Sequence, residues 1–165
     1  MIFRYWNFYL FLISLIAISA ALIAEYYFSL QPCELCLKQR HPYYVIILIS
    51  LFLLFVAKTY NLFAYSLVQI SSIYGLFYSA WHVGVENNLL KGPSGCMAGL
   101  DISSNTSDLK EQILSKQVIS CDEIIWSIFG MSAATINTFV LLFIFIFNAI
   151  YITKYYGSKK EKKKI

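Results

Sequence analysis

The chain has 165 residues, of which 59% are hydrophobic, 18% aromatic and only 13% charged, with a net charge of +4 and a mean hydropathy of +0.63. Soluble domains carry about 25% charged residues, so these figures exclude a water-soluble globular protein and a disordered chain alike. They also exclude a nucleic-acid partner, because so small a positive charge, with no basic face interleaved among aromatics, gives little attraction for phosphate. Two histidines and nine carboxylates leave few groups for acid–base work, so the four cysteines stand out.

Taken in chain order, uncharged stretches fill 5–24, 42–57, 59–85 (interrupted only by His82) and 124–153. A bilayer core needs roughly 20 apolar residues per helix, and four membrane-spanning helices are the economical reading. The first stretch is too long for an ordinary signal-peptide core, although Ser19, Ala20 and Ala21 imitate a cleavage site. The second is short, reaching roughly 24 Å at about 1.5 Å per residue, so its helix is expected to extend N-terminally past Pro42. Pro42 then either opens a helix or kinks one, and the sequence leaves both open.

The expected architecture is an all-α membrane protein, a four-helix bundle forming one domain over 1–165. Its helices run at about 5–27, 42–57, 61–85 and 124–152, with outer loops 28–41 and 86–123 and a basic tail at 154–165. Within the longer loop, Leu109, Ile113, Leu114 and Val118 fall near helical spacing and suggest a short surface helix. Four spans place both termini on one side. Arg4, Lys58, Lys154, Lys159, Lys160, Lys162, Lys163 and Lys164 share that side, against Lys38, Arg40, Lys91, Lys110 and Lys116 opposite. By the positive-inside rule the termini are cytoplasmic and the two loops face outward.

All four cysteines fall in those outer loops, Cys33 and Cys36 in the first, Cys96 and Cys121 in the second. Two structural disulfides are the plain reading of an exported chain. The two-residue spacer Glu34-Leu35 argues for more, because so small a ring constrains the unfolded chain little and suits a redox-active pair. Tetrahedral zinc on the four thiolates lacks a second knuckle-like pair, and no metal is expected. Leu37 stands where c-type haem attachment needs histidine. Arg40 lies one helical turn beyond Cys36, so its charge, with a helix N-terminus, is expected to hold Cys36 as thiolate. His82, near the outer end of the third helix, is a weaker candidate, while Gln69, Asn137 and Asn148 read as interhelical hydrogen-bond partners.

With these residues in view, the chain resembles the disulfide bond formation protein B (DsbB) family of bacterial inner-membrane oxidoreductases. Three blocks carry the likeness: Pro32-Cys33-Glu34-Leu35-Cys36 with Gln39-Arg40 and Pro42-Tyr43; Trp81-His82-Val83-Gly84-Val85-Glu86 through Gly92-Pro93 to Cys96; and Cys121-Asp122-Glu123 with Trp126, Gly130, Ser132, Ala133 and Asn137. The resemblance implies a thiol–disulfide oxidoreductase that reoxidises a periplasmic, thioredoxin-fold, DsbA-like oxidase and passes the electrons to a membrane quinone, ubiquinone or menaquinone. It implies that Cys96 meets the partner, that Cys121 is its pair and exchanges with Cys33, and that Cys36 faces the quinone with Arg40. His82 is a further quinone-side candidate. Glu34 departs from the apolar or proline spacer common in the family, and an acid there would oppose thiolate formation. Two other readings start from the same residues. A non-catalytic membrane protein would keep two inert disulfides, and a vitamin K epoxide reductase type would carry its CxxC in a late helix.

Overall fold

A computed structural model describes residues 5–55, 61–93, 121, 124, 126–128 and 130–161. Four long helices account for most of them: α1 (Trp6–Tyr26), α2 (Glu34–Phe55), α3 (Asn61–Glu86) and α4 (Ala133–Glu161). Just before α4, β1 (Ser127–Ile128) and β2 (Met131–Ser132) form a minimal antiparallel ladder, with Ser127 opposite Ser132 and Ile128 opposite Met131. The expected all-helical architecture therefore has one small β exception.

Two helices differ clearly in their bounds from the sequence expectation. Helix α2 begins at Glu34 and carries Pro42 in its interior, so the first outer loop is shorter than 28–41. Helix α4 begins at Ala133 rather than 124, because the hairpin occupies the preceding residues, and it continues to Glu161 into the lysine-rich tail. The proposed surface helix around 109–118, residues 58–60 between the second and third expected helices, and Cys96 lie outside the described residues.

Among the described residues, two helices are long and apolar enough to cross a membrane: α1, with a mean hydropathy of 2.2, and the Ala133–Lys154 part of α4, at 2.1. All four expose large apolar side chains: Phe8 and Ile16 on α1, Leu48 and Phe52 on α2, Phe63 and Ile70 on α3, Phe139 and Phe143 on α4. In water such a surface would aggregate, whereas in lipid it costs nothing to leave it exposed.

With apolar residues facing both ways, the packing is fixed by small and polar ones. Leu10, Ile46, Val68 and Leu141, one from each helix, are fully buried at the centre. Gly75 of α3 makes the closest approach: a Cβ there would lie 2.8 Å from Pro42 Cγ and 2.9 Å from Leu141 Cδ1, so α2, α3 and α4 meet where only a hydrogen fits. Asn148 of α4 donates to the Tyr65 carbonyl (3.0 Å) and to Gln69 Oε1 (2.7 Å), and accepts from Trp6 Nε1 (3.4 Å). These contacts tie α1, α3 and α4 together at the end that carries the termini.

At the other end the chain folds back on α3. The Leu89 and Leu90 amides both donate to the Gly84 carbonyl, and a Cβ on Gly84 would meet Leu90 Cδ1 at 2.6 Å, so the Leu90 side chain lies directly over the glycine. Trp81 Nε1 then donates to the Lys91 carbonyl at 3.0 Å, anchoring the start of the second loop. Ser132 caps α4 by accepting the Thr135 amide (3.1 Å) while its hydroxyl donates to Glu86, which joins the end of α3 to the start of α4.

Candidate functional site

Cys33 is the N-cap of α2. Its carbonyl accepts the Leu37 amide at 3.1 Å, and its Sγ takes the place of a capping oxygen by accepting the Cys36 amide at 3.4 Å. A sulfur so placed sits on the positive end of the helix dipole, which favours its anion. Cys33 is buried and Cys36 half-buried, both are free thiols, and their sulfurs lie 3.1 Å apart. The hydrogen bond from the Cys36 thiol brings Cys33 down furthest; burial opposes this, His82 and the Cys36 amide add to it, and the result is about 4, far below an ordinary thiol.

Sequence reasoning assigned the thiolate to Cys36 with Arg40. The structure puts the capped, hydrogen-bonded sulfur at Cys33 instead, and the Arg40 guanidinium is ion-paired with Glu25 of α1. Glu34 is likewise accounted for. It turns outward to Lys38 at 2.7 Å, and as the first residue of α2 it complements the helix dipole rather than facing the sulfurs.

Across the bundle, His82 of α3 is buried with its Nε2 3.7 Å from Cys33 Sγ and 3.9 Å from Glu86 Oε1. Its other nitrogen, Nδ1, lies 2.9 Å from Gln39 Nε2. The orientation of the Gln39 amide is fixed twice, because Nε2 also reaches the Tyr78 carbonyl (3.5 Å) and Oε1 accepts Asn137 Nδ2 (2.9 Å). Asn137 donates as well to Ser79 Oγ at 3.2 Å and accepts the Tyr43 hydroxyl. Gln39, Asn137, Tyr43 and Glu86 were the residues that sequence reasoning missed or read as structural. Gln39 and Tyr43 were visible only as neighbours of the cysteine motif, and Glu86 only as the end of the Trp81–Glu86 block, although its helical spacing from His82 is a signal that could have singled it out.

A cavity of about 400 Å³ opens between α1, α2 and α4. Alanines and aliphatic residues form its walls, including Ala17, Ala21, Ile136 and Val140, and its polar groups are Cys36, Gln39, Arg40, Tyr43 and Asn137, with Gln31 at the linker. Cys36 and Arg40 both line this chamber. His82 does not line it and sits instead against Cys33. Cys121 is disulfide-bonded and fully buried, and it packs into one apolar cluster with Cys33, Leu35 and Val85, flanked by Cys36, Tyr78 and Trp81.

The donor atoms of Cys33, Cys36 and His82 lie within 4.8 Å of one another, close enough to share a soft metal ion. The Gln39 amide argues against that use: by donating to Nδ1 it leaves the ring proton on Nε2, the atom a metal would need bare. The arrangement suits thiol–disulfide exchange beside an apolar, hydrogen-bond-lined chamber.

Comparison with known proteins gives the same direction. The family profile described as Disulfide bond formation protein DsbB matches residues 3–151. An uncharacterised protein of Rickettsia prowazekii is 32% identical over 143 residues, 86% of this chain and 83% of that one. Proteins named Disulfide bond formation protein B from Methylobacillus flagellatus and Chromohalobacter salexigens are each 29% identical, covering 70% and 68% of this chain and 72% and 68% of their own. No solved structure matches.

Proposed function

Since the chain belongs to the DsbB family, and is thereby a membrane oxidoreductase of disulfide bond formation, we propose that it reoxidises a periplasmic DsbA-like dithiol oxidase and passes the electrons to a membrane quinone, ubiquinone or menaquinone. All four helices would span the bacterial inner membrane, with the termini cytoplasmic and the cysteines periplasmic. The outward-facing apolar side chains of α2 and α3 support spans there as well as at α1 and α4. One observation carries the reading: the disulfide-bonded Cys121 packs in the same buried cluster as the free pair Cys33 and Cys36, and Cys36 opens onto the cavity.

The chamber fits a quinone by its own chemistry. Apolar walls suit a flat ring with an isoprenoid tail, and Arg40, whose guanidinium has more N–H donors than its pair with Glu25 uses, can donate to a carbonyl oxygen at the end where Cys36 lies. A quinone bound there supplies the sink for two electrons and two protons. The chain's own part divides into three exchanges. The partner's dithiol attacks the disulfide of Cys121, which we pair with Cys96, at Cys96; the partner leaves oxidised and both cysteines become thiols. Cys121 then attacks the oxidised Cys33–Cys36 pair at Cys33, and Cys96 closes the loop disulfide again, leaving Cys33 and Cys36 reduced. Finally these two lose two electrons and two protons as their S–S bond re-forms. A closed disulfide at Cys121 beside free Cys33 and Cys36 corresponds to the state before this last step.

The test is reconstitution of the full-length protein in detergent with a reduced DsbA-like partner and a soluble quinone, following quinone reduction optically. Turnover is expected, with Cys36→Ser inactive and Cys121→Ser accumulating a partner adduct through Cys96. Disulfides that resist mild thiols, with no quinone reduction, would establish the non-catalytic alternative.

A further inference from the structure

One buried group is left without a task by this scheme. His82 does not line the chamber yet is in reach of the sulfur that caps α2, and four linked hydrogen bonds determine which of its nitrogens carries the proton. The Tyr78 carbonyl can only accept, so it fixes Gln39 Nε2 as the donor end of that amide (3.5 Å). Gln39 Oε1 must then accept, and Asn137 Nδ2 donates to it at 2.9 Å. Asn137 Oδ1 in turn accepts from the Tyr43 hydroxyl. The donors all run one way, from Tyr43 to Asn137 to Gln39 to His82 Nδ1. A neutral imidazole that accepts at Nδ1 has its hydrogen on Nε2, and Nε2 is the atom 3.7 Å from Cys33 Sγ.

We propose that His82 is a catalytic hydrogen-bond donor to Cys33, locked in its Nε2–H form by the Tyr43–Asn137–Gln39 chain, and that it stabilises the Cys33 thiolate each time that sulfur is released from a disulfide. The inference rests on the reading of Cys33 as an exchanging sulfur and adds a group that holds its charge. No electron passes through His82, and no bond to it forms or breaks; it offers an N–H to the sulfur when the S–S bond opens and the electron pair stays on Cys33. Among the described residues, the ionisable groups facing Cys33 are Cys36 on its own helix, His82 from α3, and Glu86 behind His82 at 3.9 Å from Nε2. Arg40 is paired with Glu25 and Lys38 with Glu34. Cys121, in the same cluster, is disulfide-bonded and does not titrate.

The chain has a second consequence. Three of its members, Tyr43, Asn137 and Gln39, line the chamber, while His82 and Cys33 do not. A ligand that takes a hydrogen bond from Tyr43 or Asn137 draws on the same donors that orient His82. Occupancy of the chamber is therefore felt at the sulfur on its far side.

The experiment uses reduced full-length protein in detergent and needs neither quinone nor partner, so its failure is distinct from a failure of the proposed activity. Alkylation of Cys33, resolved by site with mass spectrometry, is measured against pH for the wild type, His82→Phe and His82→Gln. A hydrogen bond to a charged group stabilises by an amount that corresponds to a shift of about one pH unit or more. His82→Phe is therefore expected to raise the Cys33 midpoint by at least about one unit, slowing alkylation about tenfold below that midpoint. His82→Gln, whose amide N–H reaches a similar place, should recover most of the shift. Ring ¹⁵N shifts of the wild type, assigned by loss of the signal in His82→Gln, should show Nε2 protonated and Nδ1 bare. They keep the proposal testable even where His82→Phe fails to fold. Superimposable profiles in wild type and His82→Phe, a His82→Gln profile like that of His82→Phe, or a protonated Nδ1 would each overturn it.

Discussion

The Arg40–Glu25 pair separates two roles that a simple arginine replacement would confuse. Their side chains are 13% and 24% exposed, between an open surface pair and a sealed one. Surface pairs contribute up to about 1 kcal/mol, and breaking a buried pair costs about 3–5 kcal/mol, so removing either partner here should cost about 2 kcal/mol. For a chain of this length 1 kcal/mol moves the thermal midpoint by about 2–4 °C, so Arg40→Gln and Glu25→Gln should each lower it by about 4–8 °C. The double variant leaves no uncompensated charge and should regain most of the loss. Activity should divide the two singles. If Arg40 serves the chamber it shares with Cys36, Arg40→Gln abolishes most quinone reduction, whereas Glu25→Gln leaves the guanidinium in place and retains it. Arg40→Lys should fall between, since it keeps the charge without the planar fork. Thermal unfolding and quinone reduction in detergent measure both quantities on one preparation. Equal loss of activity in Arg40→Gln and Glu25→Gln, recovered in the double variant, would show that Arg40 only fastens α1 to α2 and would refute its place at the quinone.

Further outcomes follow from the packing and the charge pattern. Gly75→Ala places a methyl against Pro42 and Leu141 and should destabilise the bundle by about 1–3 kcal/mol, read as a lower thermal midpoint; an unchanged midpoint would mean the three helices separate without cost. Because the Cys33 thiol ionises at about 4 in the fold and near 9.0 when unfolded, stability from this group grows with pH between those values and is lost as pH falls toward 4. The advantage of the reduced protein over Cys33→Ser should therefore widen from about pH 5 to about pH 8, by at most about 1.4 kcal/mol per unit. A single cysteine at Ser158, in a chain stripped of the native four, should react with an impermeant thiol reagent only after the cell is opened, and one at Asn88 should react from outside; the reverse pattern would invert the topology.

Much of the bundle was legible because bilayer-length runs without charge leave few alternatives, and α1 and α4 follow directly from them. The start of α2 was half legible: the short stretch after His41 demanded extension past Pro42, but nothing local showed that Cys33 itself would cap the helix. The hairpin before α4 was invisible, since two-residue strands leave no periodicity to read. At the site, the cysteines declared themselves by spacing. Arg40 stood out by lying one turn from Cys36, but its Glu25 partner comes from a different helix, and a pair so distant in sequence leaves no pattern. The same holds for Gln39 and Asn137, whose side chains gain a role only when α2 and α4 meet.

Capping by Cys33 makes the first turn of α2 a redox-sensitive joint. A thiolate accepts the Cys36 amide well, but the same sulfur tied into a disulfide carries no charge and is a poor acceptor, so oxidation removes a cap that is typically worth about 1 kcal/mol. On the proposed scheme each turnover would slacken and retighten the turn from which Gln39 and Arg40 project one helical repeat further on, toward the chamber. Redox change at the sulfurs and the grip of the chamber on a ligand would then be two ends of one short lever, and the Cys36 amide, through its hydrogen-exchange rate, is the gauge that reads its position.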